Sequence, residues 1–228
     1  MADAKRPGRK AAAGEDHLAA TRKALLDAAL PNIAFDGWTP RLLIQSAEAA
    51  GISQGEMRLA FPDGVLGLID YFLADGDRRM EVALAEKNIA AMKIRERITL
   101  AVRTRLEVDE ANREAMRRAI TMLALPTSGG LGARTLYRTV DAIWRAIGDQ
   151  STDFNFYTKR ATLAGVFSAV TLFWFADDSA AYARTWAFLD SRIEDVMRIE
   201  KAKAQVKKVG ALLPDPIALL GRLRYRNG

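Results

Sequence analysis

The chain has 228 residues, half of them hydrophobic, and a net charge of +6. These values suit one globular domain, or one domain with a small appendage, and exclude a disordered chain. There is no cysteine and only one histidine, His17. Disulfides, thiolate metal sites and cysteine nucleophiles are therefore excluded, and most acid–base chemistry lacks its usual residue. We predict a protein that is not an enzyme and has no cofactor or metal.

The elements begin after a basic arm, residues 1–15, which we expect to be disordered. It contains Pro and Gly and lacks the apolar core of a secretory signal peptide. Apolar residues then recur at helical spacing, strand signals are almost absent, and Gly, Pro and Asp mark the breaks. We predict an all-α fold of about ten helices, over 16–35, 39–49, 53–60, 64–86, 91–109, 111–124, 131–147, 153–176, 179–203 and 215–226.

Residues 16–62 are predicted to form a helix-turn-helix head. The sequence Ala49-Ala50-Gly51-Ile52-Ser53 supplies a tight turn at Gly51 and a helix cap at Ser53. This part resembles the DNA-binding head of TetR-type regulators. Its recognition helix has Gln54, Glu56 and Arg58, however, and residues 39–61 have no net charge. Because duplex binding depends on neutralising phosphates, we expect no nucleic-acid partner.

Residues 63–205 are predicted to form a helical ligand-binding domain. Its uncharged run, Ala161–Ala176, has 16 residues, too few to span a bilayer, so we interpret it as a central helix surrounded by others. A lipid cavity and an ordinary core both fit its apolar side chains. The candidate cavity-lining residues are Leu163, Phe167, Val170, Phe173 and Trp174, with Trp186 and Leu189 opposite them.

Residues 206–228 are predicted to be a basic amphipathic helix, started by Asp215 and Pro216. The eight Lys and Arg residues from position 196 onward, against two acidic residues, hold the excess charge of the chain. We expect reversible, salt-sensitive association with an anionic membrane surface; a helix docked on its own domain or on a second copy is the alternative. The membrane-facing residues would be Ile217, Leu219, Leu220 and Leu223, flanked by Arg222 and Arg226.

Several motifs resemble one family, the lipid-binding accessory proteins of coenzyme Q biosynthesis (COQ9-like), from about residue 24 to 205. They are Phe35-Asp36-Gly37-Trp38-Thr39, Met122 to Pro126, Val140 to Trp144, Gly148 to Arg160, Asp177-Asp178-Ser179 and Thr185 to Arg192. The resemblance implies a TetR-like fold that binds lipids or prenylated quinone precursors. It also implies a peripheral membrane role and a partner, the di-iron demethoxyubiquinone hydroxylase.

The resemblance also implies site residues. Arg160 would hold a lipid phosphate, unless it pairs with Asp149 or Asp153 instead. The partner-facing patch would contain Asp141, Ile143, Trp144, Asp153, Phe156 and Tyr157. Packing between neighbouring helices is the alternative role of Trp144 and Tyr157.

We thus expect a non-catalytic protein that presents quinone precursors at the inner membrane of a bacterium, or on the matrix side in a mitochondrion. A homodimer through the last helices fits this architecture. The alternative function is a ligand-responsive transcriptional repressor.

Overall fold

The computed structural model describes the backbone of residues 7–149 and 154–212, and the side chains of residues 14–149 and 156–199. Within these ranges the chain forms ten α-helices and no strand, which confirms the all-α prediction. The helices are α1 (Pro7–Ala29), α2 (Ile33–Asp36), α3 (Pro40–Ala49), α4 (Gln54–Ala60), α5 (Val65–Ala85), α6 (Ile94–Glu107), α7 (Arg113–Leu123), α8 (Leu131–Ala146), α9 (Phe154–Ala176) and α10 (Ala183–Leu212).

Helices α1, α3 and α4 pack against one another as the helix-turn-helix head. Gly51 turns the chain between α3 and α4 at φ 67°, a conformation that glycine adopts without a side-chain clash. Ser53 and Glu56 then form a capping box: the Ser53 Oγ accepts from the Glu56 N–H at 3.2 Å, and the Glu56 carboxylate accepts from the Ser53 N–H at 3.0 Å. Two backbone donors at the start of α4 are satisfied in this way.

The segment Phe35–Thr39 joins the head to the rest of the protein. Gly37 has φ 66° and ends α2. Trp38 is buried, packs on the Phe72 ring of α5, and donates its indole N–H to the Ala115 carbonyl of α7 at 2.9 Å. Thr39 caps α3 by accepting from the Leu42 N–H. These contacts hold the head at a defined position on α5 and α7.

The helical domain is built around the packed pair α5 and α8. Helices α6 and α9 pack against this pair, and α10 packs against α6 and α9. Helix α9 is not enclosed, which corrects the prediction of a surrounded central helix. Val166 and Val170 are buried, whereas Gly165 and Leu172 are exposed. The uncharged part of α9, residues 161–176, therefore has one buried face and one exposed face.

Two segment boundaries differ from the sequence prediction. Helix α1 begins at Pro7, inside the arm 1–15 that was expected to be disordered. Helix α10 ends at Leu212, so the expected boundary at residue 206 falls within a helix. The predicted tail helix over 215–226 lies outside the described residues.

Helix α10 starts at Ala183, later than the predicted residue 179, because residues 180–182 form a 3-10 turn. The buried Asp177 organises this turn: its carboxylate accepts from the Thr185 hydroxyl at 2.6 Å and from the Thr185 and Ser179 N–H groups at 2.9 Å. Burial alone would raise the pKa of Asp177, but the hydrogen bonds from Thr185 and Ser179 hold this pKa well below its usual range.

Candidate functional site

An apolar cavity of about 300 Å³ lies between α7, α8 and α9, with one wall from α5 and α6. Its volume is at the lower end of the range for small-molecule sites. Leu172, an exposed residue of α9, is part of the lining, so the cavity reaches the surface there. The apolar lining residues are Leu73, Met116, Ile120, Leu123, Ala124, Gly132, Ala133, Leu136, Phe167 and Leu172.

The polar lining of the cavity centres on a buried arginine, Arg105 of α6. Its Nε donates to Asp77 at 2.7 Å, its Nη1 donates to Asp109 at 2.5 Å, and its Nη2 donates to the Leu73 carbonyl at 3.2 Å. Burial acts to lower the pKa of Arg105, but Asp109 and Asp77 outweigh burial and raise it. The guanidinium therefore stays charged beside an otherwise apolar space.

Two further arginines extend this ion pair into a network. Arg79 binds Asp109, and Arg138 binds Asp77 at 3.3 Å and Asp70 at 2.5 Å. Arg79 also binds Asp75 at 2.8 Å, so the ion pairs continue along α5 beyond the buried centre. Gly76 makes room for the centre of the network, because a Cβ at this position would lie 2.6 Å from the Arg105 guanidinium. Charged groups survive burial only with such pairing.

The residues predicted to line a lipid cavity separate into three groups. Phe167 does line the cavity. Four others are core residues that do not line this cavity, and their lipid-binding role stays a prediction: Leu163, Val170, Trp174 and Leu189.

The last two lie toward the surface. Phe173 is partly exposed and stacks on Phe188 at 4.7 Å between ring centroids. Trp186 donates its indole N–H to the Ala181 carbonyl and lies under the Arg103 guanidinium. Neither residue lines the cavity, and their lipid-binding role stays a prediction.

Arg160 is engaged by groups of the protein itself. Its side chain is buried, and its Nε and Nη2 both lie 2.8 Å from the Asp141 carboxylate. The guanidinium also covers the Phe156 ring at 3.4 Å, and Asp149 is 3.6 Å away. These groups pair with the positive charge and link α9 to α8, and the phosphate-binding role of Arg160 stays a prediction.

The predicted partner-facing patch contains both buried and exposed residues. Ile143 has no exposed surface and Trp144 is buried, so these two support the patch from below and do not form its surface. Tyr157 is 67% exposed and packs edge-on against Phe156. Asp141 is partly exposed and carries the Arg160 ion pair. Asp153 lies outside the described residues.

The cavity residues on α7 and the network around Arg105 were not predicted from the sequence. One signal was present: Arg105 and Asp109 stand four residues apart and flank the apolar Leu106, the spacing of an ion pair on one helix face. Nothing in the sequence distinguishes Met116 or Ile120, as cavity residues, from ordinary core residues.

The expected membrane segment is not described by the structure. The residues Ile217, Leu219, Leu220, Arg222, Leu223 and Arg226 all lie beyond Leu212. None of the helices in the described part of the chain is long and apolar enough to cross a membrane.

A helix-turn-helix head joined to a helical domain with an internal cavity defines the TetR-like class of folds. The structure is similar to the crystal structure of the TetR transcriptional regulator from Nitrosomonas europaea, with a TM-score of 0.61 and 22% identity over 76% of this chain and 95% of that one. At this level of identity, the likeness concerns the fold alone.

The sequence itself is similar to the COQ9 family. The COQ9 family model matches residues 130–200. The mitochondrial ubiquinone biosynthesis protein COQ9 of Rattus norvegicus is 33% identical over 83% of this chain and 62% of its own length. The COQ9 protein of Homo sapiens is 32% identical over 83% of this chain and 61% of its own length. The chain thus spans about three fifths of these curated relatives, and the resemblance to COQ9 is confirmed.

Proposed function

We propose that this chain acts in ubiquinone biosynthesis as a non-catalytic accessory protein that binds a prenylated quinone precursor and presents it to the di-iron demethoxyubiquinone hydroxylase. The supporting observation is the apolar cavity between α7, α8 and α9, which reaches the surface at Leu172, in a chain similar to named ubiquinone biosynthesis proteins. The cavity provides the chemistry that such a role requires.

Prenylated quinones are apolar, so a carrier must offer them a surface that excludes water. Transfer of apolar surface from water into such a site is favourable by about 25 cal/mol per Å². The side chains of Met116, Ile120, Leu123, Leu136 and Phe167 supply this surface. The cavity accommodates a ring and a short part of a prenyl chain, and the rest of a longer chain would leave through the opening at Leu172.

The hydroxylase would bind the exposed patch formed by Asp141, Phe156 and Tyr157. Tyr157 and the cavity residue Phe167 are both on α9 and ten residues apart, which is about 15 Å along a helix. Tyrosine is one of the residue types that contribute most to protein interfaces. Helix α9 would thus connect the partner surface to the ligand.

The membrane contact would come from the tail, residues 213–228. Its leucines and arginines fit reversible binding to anionic lipid, which would place the protein at the surface of the bilayer that contains its ligand. In a bacterium this is the inner face of the cytoplasmic membrane, and in a mitochondrion it is the matrix side.

A ligand-responsive repressor is the second candidate, favoured by the helix-turn-helix head. The charges of α4 argue against it. Arg58 is bound to the Gln54 carbonyl of its own helix, and Glu56, whose carboxylate caps α4, adds negative charge where DNA phosphates would lie. A gel shift with genomic fragments tests this function directly.

The decisive variant for the cavity is Ser168→Phe, which places a ring in the opening from a partly exposed lining residue of α9. Ala85→Phe is the matched control, because Ala85 is exposed at the end of α5 and does not line the cavity. We expect Ser168→Phe to weaken binding of a short-chain prenylated benzoquinone at least tenfold while Ala85→Phe binds it like the wild type. Equal binding by both variants would reject this cavity as the ligand site.

A further inference from the structure

One hydroxyl group in the cavity wall has no hydrogen-bond partner among the described residues. It belongs to Thr171 of α9, which is only 2% exposed and lines the cavity. A buried donor without a partner costs about 1–3 kcal/mol. Native proteins tolerate few such groups, and each one calls for an explanation.

Three other helical hydroxyls in the described residues are satisfied within their own helix. Thr21, Ser46 and Thr121 each donate to the carbonyl four residues earlier, at 2.7–2.9 Å. This is the usual solution for a hydroxyl inside a helix. Thr171 has the same local option, the Phe167 carbonyl, and does not take it. Its hydroxyl is free for a group inside the cavity.

The other buried polar side chains around the cavity are already engaged, and Ser168 is partly exposed. Thr135 donates to the Gly132 carbonyl, and Thr139 donates to Asp77. Arg105 is bound on three sides by Asp77, Asp109 and the Leu73 carbonyl. Thr171 therefore offers the lining a buried donor that no group of the described residues occupies.

We infer that the Thr171 hydroxyl donates a hydrogen bond to a ring oxygen of the bound ligand, and that the cavity selects an oxygen-bearing aromatic or quinone ring over a plain hydrocarbon. This inference rests on the proposed function, in which the cavity holds a prenylated ring. The carbonyl of a quinone, or the oxygen of a phenol, is the acceptor. The apolar walls formed by Ile120, Leu123 and Leu136 then hold the ring face and the first prenyl carbons.

Thr171→Val tests the inference because it removes the hydroxyl and keeps the branched shape. Thr104→Val is the matched control: the Thr104 hydroxyl is also buried without a partner among the described residues, but Thr104 is on α6 and does not line the cavity. Two probes separate oxygen recognition from apolar packing, namely a dimethoxy-methyl-benzoquinone with one prenyl group, and prenylbenzene, which has no oxygen.

We expect Thr171→Val to weaken binding of the quinone about 3- to 10-fold, which corresponds to the loss of one neutral hydrogen bond. Its affinity for prenylbenzene should stay within about twofold of the wild-type value. Thr104→Val should bind both probes like the wild type, and Thr171→Ser should retain quinone binding. Both valine variants should be at least as stable as the wild type, because each loses an unsatisfied group.

The outcomes distinguish this inference from the proposed function. If the wild type binds both probes and Thr171→Val weakens neither, or weakens both equally, the hydrogen bond is wrong and the cavity remains the ligand site. If the wild type binds neither probe, the inference and the proposed function fail together.

Discussion

The substitution Arg105→Leu tests the buried ion network that supports one wall of the cavity. It removes the guanidinium that binds Asp77 and Asp109, two carboxylates that have almost no contact with solvent. Leucine fits the apolar surroundings and leaves no large cavity. The loss of stability therefore comes mainly from the lost ion pairs. The two carboxylates are left with fewer partners inside the protein.

Removal of one partner from a buried ion pair costs about 3–5 kcal/mol. Here Arg79 still binds Asp109, and Arg138 and Thr139 still bind Asp77, so we expect the lower end, about 3 kcal/mol. For a chain of this size such a loss corresponds to a fall in Tm of about 6–12 °C. Urea unfolding followed by circular dichroism at pH 7 measures the free energy of unfolding.

Arg117→Leu is the control, because it removes an exposed partner of Glu114 that Arg118 also binds. Exposed ion pairs contribute about 0–1 kcal/mol. If Arg105→Leu is no more destabilising than Arg117→Leu, the reasoning about the buried network is refuted.

Three further predictions concern the turn before α10, the partner patch and the tail. The pKa of Asp177 is depressed in the folded state. The ionised carboxylate therefore stabilises the fold above the pKa that Asp177 has in the unfolded chain, about 3.9, and this stabilisation is lost as the pH falls below that value. Asp177→Asn should thus lower Tm at pH 7 and flatten its decline below about pH 4; an unchanged acid profile would contradict this. Tyr157→Ala should weaken hydroxylase binding about tenfold in a pull-down with the purified enzyme, whereas Tyr137→Ala, also exposed, should not; equal binding would remove Tyr157 from the interface. Deletion of residues 213–228 should reduce co-sedimentation with anionic liposomes, and undiminished co-sedimentation would reject the membrane anchor.

Much of the fold could be predicted from the sequence because local signals determine it. The Gly51 turn and the Ser53 cap occur as expected, because a positive φ and a helix start each depend on one or two residue types. The start of α10 was missed, because the 3-10 turn depends on the buried Asp177 carboxylate, whose partners are known only after folding.

The candidate site was predicted less well, because helical spacing shows that a residue faces inward but not what it meets there. Phe167 and Val170 have the same pattern in the sequence, yet Phe167 lines the cavity and Val170 is packed in the core. Ile143 resembled a partner-facing residue, but the packing of α8 buries it. Such differences arise from tertiary packing.

The most direct test of the central claim is mass spectrometry of organic extracts from the purified native protein. The account predicts a prenylated phenol or quinone in near-stoichiometric amount, absent from Ser168→Phe protein and retained by Ala85→Phe protein. The account would be contradicted if the wild-type extract contained no enriched prenylated lipid. It would also be contradicted if the extracts of both variants contained equal amounts of that lipid.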